Sequence, residues 1–175
     1  MKKKALAVLL TASVIAGTMG GTATIVHADE EGKVINIYSW NDEFRQRLEA
    51  VYPEVKETSK DGTVTTLKDG TEIHWIINPN QDGVYQQKLD EALMNQADAS
   101  ADDKVDIFLS ETDYVYKYTD AAADVAMPLK DLGIDPDKDL ADQYDFTKTT
   151  ASDADGVQSC LLYTSPSPRD RTRSR

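Results

Sequence analysis

Apolar residues are almost continuous in the run KVINIYSW, which begins at Lys33. Between Val34 and Tyr38 only Asn36 is polar, and the other residues are β-branched or aromatic. A nearly unbroken apolar run of this length is typical of a strand that is covered on both faces. We therefore expect a central parallel strand here.

The next stretch, NDEFRQRLEAVY, has the spacing of a helix. Phe44, Leu48 and Val51 recur at intervals of four and three residues, which places them on one helical face. Asn41 is available as a cap, and Pro53 helps to end the helix. The pattern predicts an amphipathic helix after the first strand.

The rest of the pattern alternates strands with helices. Two β-prone runs flank Asp69-Gly70, a pair suited to a tight hairpin turn, and the second run continues into the sheet. VYQQKLDEALMNQA predicts a helix, VDIFLS a buried strand, ETDYVYKYTDA a short helix or turn, and LADQY a late helix. This order predicts an α/β fold with a parallel-sheet core and a β-hairpin.

Charge is unevenly distributed along the chain. The formal net charge of the whole sequence is −12, but residues 29–159 hold 12 basic and 30 acidic side chains, a net charge of −18. Such a surface repels phosphate backbones and anionic membranes. We expect no nucleic-acid partner.

The first 28 residues have the layout of an export signal. A basic start, MKKK, precedes an apolar run, and small residues lead to a candidate cut at VHA, before Asp29. No cysteine lies near the cut, so no lipid anchor is predicted. We expect an extracytoplasmic protein without disulfides, because Cys160 is the only cysteine.

Aromatic and polar side chains follow two of the predicted strands directly. In open parallel sheets, ligands bind beyond the carboxyl ends of the strands. Indole and phenol rings suit the C–H face of a sugar, and carboxylates accept hydrogen bonds from its hydroxyls. The candidate ligand-binding residues are Trp40, Asn41, Asp42, Glu111, Asp113 and Tyr114.

Two other interpretations of these residues stay open. In the first they are structural: Trp40 belongs to the core, Asp42 complements the helix dipole, and Tyr114 joins a packing stripe. In the second, paired carboxylates serve a secreted carbohydrate hydrolase as acid and base or nucleophile. The sequence does not give the separation of any such pair.

Metal and cofactor chemistry has little basis in the sequence. His27 falls within the predicted signal, and His74 stands alone in a predicted strand. The phosphate-binding glycine patterns GxGxxG and GxxxxGK[ST] are absent from the sequence. We predict no metal site and no cofactor.

Five motifs in succession carry a resemblance to a known family: GKVINIYSWNDEF, YPEVKE, LKDGTEIHWIINPN, YQQKLDEAL and DDKVDIFLSETDYVYKY. Together they resemble the start of an extracellular solute-binding protein of a carbohydrate ABC transporter, in the form found in Gram-positive bacteria. The resemblance implies a two-lobed, periplasmic-binding-protein-like fold that closes on a sugar, delivers it to membrane permease subunits and has no catalytic activity. By position, the six candidate residues match two cleft loops of the family. We expect a monomer.

Family members are much longer than this chain, and the resemblance stops after ASDADGVQ. Residues 29–159 are therefore expected to form part of the N-terminal lobe. From Cys160 to Asp170, CLLYTSPSPRD resembles the translation of a sequencing adapter at every codon. We expect residues 160–175 to derive from that adapter and to carry no functional information.

Overall fold

The computed structural model describes residues 33–161, which form a five-stranded mixed sheet and five α-helices. The predicted export signal, residues 1–28, and the predicted adapter-derived segment beyond residue 161 lie outside the described residues. The strands are β1 (Val34–Ser39), β2 (Val55–Thr58), β3 (Val64–Leu67), β4 (Glu72–Ile77) and β5 (Ile107–Phe108); the helices are α1 (Glu43–Val51), α2 (Val84–Met94), α3 (Tyr116–Thr119), α4 (Pro136–Asp139) and α5 (Asp145–Thr150).

The strand order is β2-β3-β4-β1-β5, with β1 parallel to both of its neighbours. This confirms the α/β class and the parallel pairing of the first strand, which is an interior strand next to β5, whereas β4 is the middle strand of the five. β3 and β4 form the predicted antiparallel hairpin, and Gly70 turns between them at a φ of 91°. β2 adds a second antiparallel pair, so the complete sheet is mixed.

Two strand predictions need correction. β2 was not predicted, because Lys56 and Glu57 are both exposed and interrupt any apolar period. The run VDIFLS was expected to be a buried strand, but only Ile107 and Phe108 pair with β1, and Ile107 is 44% exposed. Among the described strands β5 is an edge strand, so it is covered on fewer sides than its apolar sequence indicates.

The predicted helix at LADQY was wrong. α4 ends at Asp139, before this segment, and α5 begins at Asp145, after it. Asp135 starts α4 because its carboxylate accepts a hydrogen bond from the Asp137 amide at 3.2 Å, with Pro136 in the first turn. Across residues 33–161, no helix is long and apolar enough to cross a membrane.

The sheet carries one apolar cluster on each face. Successive residues of a strand point to opposite faces, so Ile37 and Tyr38 of β1 belong to different clusters. α1 covers the first cluster through its half-buried apolar side chains, and α2 covers the second. The first cluster contains Ile37, Leu67, Ile73 and Trp75, packed by Phe44 and Leu48; the second contains Tyr85, Leu89, Val105 and Tyr118.

A polar network fastens α1 to the sheet. The carboxylate oxygen Oε1 of Glu49 accepts hydrogen bonds from the hydroxyls of Thr58 and Thr65, each at 2.8 Å. The Trp75 indole donates to the Thr65 hydroxyl at 2.9 Å, and Arg45 pairs with the other carboxylate oxygen of Glu49 at 3.1 Å. Thr65 is fully buried, so its hydroxyl links a core indole to a helix carboxylate.

We expect Thr65→Val to lower the free energy of unfolding by about 1–3 kcal/mol, because it leaves the buried Trp75 N–H without its acceptor. Thr66→Val is the matched control, since Thr66 lies next along β3 on the opposite face and is half-buried. Its effect should stay within about 0.5 kcal/mol. Chemical denaturation measures both, and equal losses would contradict the assigned role of the Thr65 hydroxyl.

Candidate functional site

The three parallel strands β4, β1 and β5 end at the same edge of the sheet. Backbone hydrogen bonds continue past the strand ends, from the Asn78 amide to the Ser39 carbonyl at 2.9 Å and from the Leu109 amide to the Tyr38 carbonyl at 3.0 Å. The loops that follow are therefore held side by side. We call this edge, with residues 40–42, 78–83 and 109–115, the carboxyl edge.

Trp40 is half-buried at the carboxyl edge, directly after β1. Its indole meets the Tyr85 ring edge to face, with ring centroids 5.4 Å apart and planes at 86°. This is a favoured aromatic geometry, and Tyr85 beneath it is fully buried. Trp40 thus packs against the second apolar cluster while part of its surface stays accessible, and its role in ligand binding stays a prediction.

Tyr85 was predicted only as a member of the apolar face of α2. Its hydroxyl donates to the Leu109 carbonyl at 2.6 Å and lies 3.2 Å from the Tyr38 carbonyl. Burial raises the pKa of Tyr85 far above its ordinary value, so the phenol remains a donor. The sequence contains one signal for this hydrogen bond, a phenol among the aliphatic residues of one helix face. A buried hydroxyl needs a hydrogen-bond partner, but the sequence does not show which group that partner is.

Glu111 forms a contact between two loops. The Asn80 side-chain amide donates to the Glu111 carboxylate at 3.1 Å. Asn80 follows β4 and Glu111 follows β5, and β1 lies between these strands, so the bond crosses the end of β1. Glu111 was among the predicted site residues, whereas Asn80 was missed, because its position depends on a strand order that the sequence does not give.

Asp113 is exposed, but its neighbour Tyr114 turns inward. The Tyr114 ring meets the Tyr118 ring at 84°, with centroids 6.3 Å apart. Burial, and then the negative charge of Glu111, raise the pKa of Tyr114 to about 12. Its hydroxyl is buried without a hydrogen-bond partner among residues 33–161. The ring therefore belongs to the packing stripe that the sequence left open as an alternative.

Asn41 and Asp42 serve the first turn of α1. The Asn41 side chain accepts a hydrogen bond from the Glu43 amide at 3.0 Å, but the N-cap position of α1 is Asp42, whose side chain makes no capping hydrogen bond, so Asn41 lies one residue before the cap. One Asp42 oxygen accepts from Arg45 at 3.2 Å and from Gln46 at 2.6 Å. Asp42 is therefore turned back onto the helix, although it stays exposed.

Other features of the described residues add no further chemistry to this edge. Within residues 33–161, no group of three or more His, Cys, Asp and Glu side chains is arranged to hold a metal ion. His74 lies 3.0 Å from Glu72 of the same strand. An apolar groove on α1, lined by residues that include Leu48, Val51 and Tyr52, contains none of the predicted site residues.

Tyr114→Phe tests the unpartnered hydroxyl. Removing a buried donor that makes no bond should leave the free energy of unfolding within about 0.5 kcal/mol of the original at neutral pH, or raise it. Burial disfavours the ionised phenol of Tyr114 in the folded protein and raises its pKa to about 12, so folding stability falls as the pH rises from about 10 towards about 12. The variant should therefore lose less stability over that interval.

Tyr118→Phe is the matched comparison for Tyr114→Phe, since the Tyr118 hydroxyl donates to Asp90 at 3.0 Å. This variant should be destabilised at neutral pH by about 1–3 kcal/mol. Denaturation at several pH values measures both variants. A loss above about 1 kcal/mol for Tyr114→Phe at neutral pH would show that its hydroxyl does have a partner.

Comparison of the chain with protein-family models, curated proteins and solved structures found no match. A proposal for the function therefore depends on the geometry of the carboxyl edge. Its elements are one accessible indole on a buried phenol, an amide–carboxylate bridge between two loops, and an exposed carboxylate at Asp113.

Proposed function

We propose that the carboxyl edge binds a sugar, and that the intact protein captures a carbohydrate outside the cell for delivery to an ABC transporter. The observation that carries this proposal is the packing of Trp40 on Tyr85. Its half-buried indole rests on the buried Tyr85, at the edge where Asn80 and Glu111 join two loops. An aromatic surface fixed beside polar groups is the combination that sugars require.

The polar groups match a ligand rich in hydroxyls. Glu111 accepts one hydrogen bond from Asn80, which leaves further lone pairs on its carboxylate. The Asn80 amide has a second N–H and a carbonyl oxygen, so this bridge has both donor and acceptor capacity. A sugar hydroxyl also donates and accepts, and charge-assisted bonds to a carboxylate are the stronger kind.

A single open edge gives one wall of a binding site. Small-ligand sites usually bury most of the ligand, and a half-exposed indole on one surface does not enclose it. A second lobe that closes over this edge supplies the missing wall, as the resemblance to two-lobed solute-binding proteins implies. The same resemblance, with the predicted export signal, supports an extracytoplasmic monomer that meets membrane permease subunits.

We propose a binding protein without catalytic activity rather than a hydrolase. The carboxylates of Asp42 and Glu111 are engaged by different partners, Asp42 by Arg45 and Gln46 of α1 and Glu111 by Asn80. In a glycoside hydrolase, two carboxyl groups flank the scissile bond at a defined distance from each other. Asp42 bonds its own helix and Glu111 bonds the loop after β4, so the hydrogen bonds of this pair give the hydrolase no support.

Titration of the chain with neutral mono- and oligosaccharides tests the proposal. We expect weak binding, because one wall is present, with NMR shifts concentrated at the Trp40 indole and the Asn80 side-chain amide. The protein with its second lobe should bind the same sugar far more tightly in calorimetry. Absence of binding in both preparations, across the panel, would contradict a sugar-binding function.

Trp40→Ala separates binding from packing. Loss of the stacking surface should weaken sugar binding at least several-fold, because an aromatic contact contributes about 0.5–1.5 kcal/mol beyond area burial. The half-buried indole should cost less stability than the roughly 3–5 kcal/mol of a core tryptophan. Calorimetric titration and thermal unfolding of the same variant give the two quantities.

Trp75→Phe is the matched control for Trp40→Ala. Trp75 is 5% exposed and lies in the first apolar cluster, on the α1 face of the sheet. This variant should lose stability and keep its sugar affinity. If Trp40→Ala behaves in the same way, with normal affinity and a large loss of stability, Trp40 is a core residue and the proposed platform is wrong.

A further inference from the structure

The loop with Glu111, Asp113 and Tyr114 begins on a very short strand. β5 contains only Ile107 and Phe108, and β1 is its only neighbour among the described strands. Two residues of edge pairing are a weak anchor, since strands in stable sheets usually have about five or six residues. Something else must hold this loop at the carboxyl edge.

Leu109 is held through both of its backbone groups. Its amide donates to the Tyr38 carbonyl at 3.0 Å, which continues the β1–β5 pairing by one residue. Its carbonyl accepts from the Tyr85 hydroxyl at 2.6 Å. Tyr85 belongs to α2, so the helix clamps the start of the loop where the strand pairing ends.

The Tyr85 hydroxyl has one proton for two nearby carbonyl oxygens. The Leu109 carbonyl is the closer, at 2.6 Å against 3.2 Å for the Tyr38 carbonyl. The Tyr38 carbonyl already accepts from the Leu109 amide, so it does not depend on the phenol. The Leu109 carbonyl is therefore the group that loses most when the hydroxyl is removed.

The other end of the contact is Trp40. The fully buried Tyr85 ring supports the Trp40 indole edge to face at 5.4 Å. One side chain thus touches the residue after β1 and the residue after β5. Both halves of the predicted sugar site depend on it, although Tyr85 itself is fully buried.

We propose that Tyr85 is the positioning residue of the carboxyl edge, with its hydroxyl fixing the loop from Leu109 to Tyr114 and its ring fixing Trp40. The value of this positioning for a ligand rests on the proposed sugar-binding function, but the positioning itself is measurable without ligand. Burial keeps the phenol protonated, so the clamp should hold over the ordinary pH range.

Hydrogen exchange of the full chain tests the hydroxyl. Tyr85→Phe retains the ring and removes the hydroxyl. It should raise the rate of amide exchange within residues 109–114 about three- to tenfold more than in β1, β3 and β4. This is the range expected for one lost hydrogen bond. Tyr118→Phe is the control, because its hydroxyl bonds Asp90 rather than a strand end. It should not raise exchange selectively in this loop.

NMR of the two indoles tests the ring. Trp40 and Trp75 are the only tryptophans, so Trp75 serves as an internal reference. Tyr85→Phe should leave the Trp40 indole N–H resonance nearly in place, whereas Tyr85→Leu should move it and leave that of Trp75 unchanged. Movement of both resonances by Tyr85→Leu would show a general loss of packing and overturn the specific role of the ring.

Sugar titration separates the two proposals. In a form that binds sugar, Tyr85→Phe should weaken binding by roughly two- to tenfold, the cost of ordering a loop that is no longer fixed, and Tyr118→Phe should not. Selective exchange in residues 109–114 without sugar binding in any preparation would support positioning and overturn the proposed function. Equal exchange profiles for Tyr85→Phe and Tyr118→Phe would overturn positioning.

Discussion

The structure depends on the burial of β1 on both faces. The strand pairs with β4 along all six of its residues and with β5 beyond its midpoint, so its backbone is fixed from both sides. Its apolar residues point alternately towards the two clusters, and each cluster needs a helix to exclude water. Because both clusters must be covered, α1 and α2 lie on opposite faces of the sheet. The loops that connect them to the strands form the carboxyl edge.

A strand that is covered on both faces tolerates a polar residue only when its hydrogen bonds are complete. Asn36 is 7% exposed, and its side-chain amide donates to the carbonyls of Asp102 and Lys104, each at 2.8 Å. Its backbone amide donates to the Asp106 carboxylate at 2.8 Å. These bonds tie the segment before β5 to the middle of β1, so the polar residue there helps to place the neighbouring strand.

Periodic segments were predictable from the sequence, and segments defined by their neighbours were not. The pattern at Phe44 and Leu48 predicted α1, and Asp69-Gly70 predicted the hairpin, since both signals are local. β2 has too few apolar residues to show a period, and the exposure of β5 follows from its place at the edge of the described sheet. No local signal carries that information.

In the candidate site, too, some features follow from local sequence and others depend on neighbouring elements. The positions of Trp40 and Glu111 at the carboxyl edge were predictable, because residues directly after parallel strands occupy one edge of a sheet. Asn80 and Tyr85 were not, because their roles depend on which strands are neighbours and on what lies beneath the Trp40 indole. Asp42 satisfied the positional rule, yet its carboxylate bonds its own helix.

The position of β1 also has a consequence for the order of folding. β3 and β4 pair across a short turn, whereas β1 pairs with residues that are distant in the sequence. Val34 pairs with Glu72, and Tyr38 pairs with Phe108. Closing longer loops costs more entropy, so local pairs form readily and parallel pairs form slowly. We therefore expect the hairpin to form before β1 has docked. Until then the apolar side chains of β1, which face both sides of the sheet, stay exposed to water and to other chains, and we expect the chain to be most prone to aggregate in that interval.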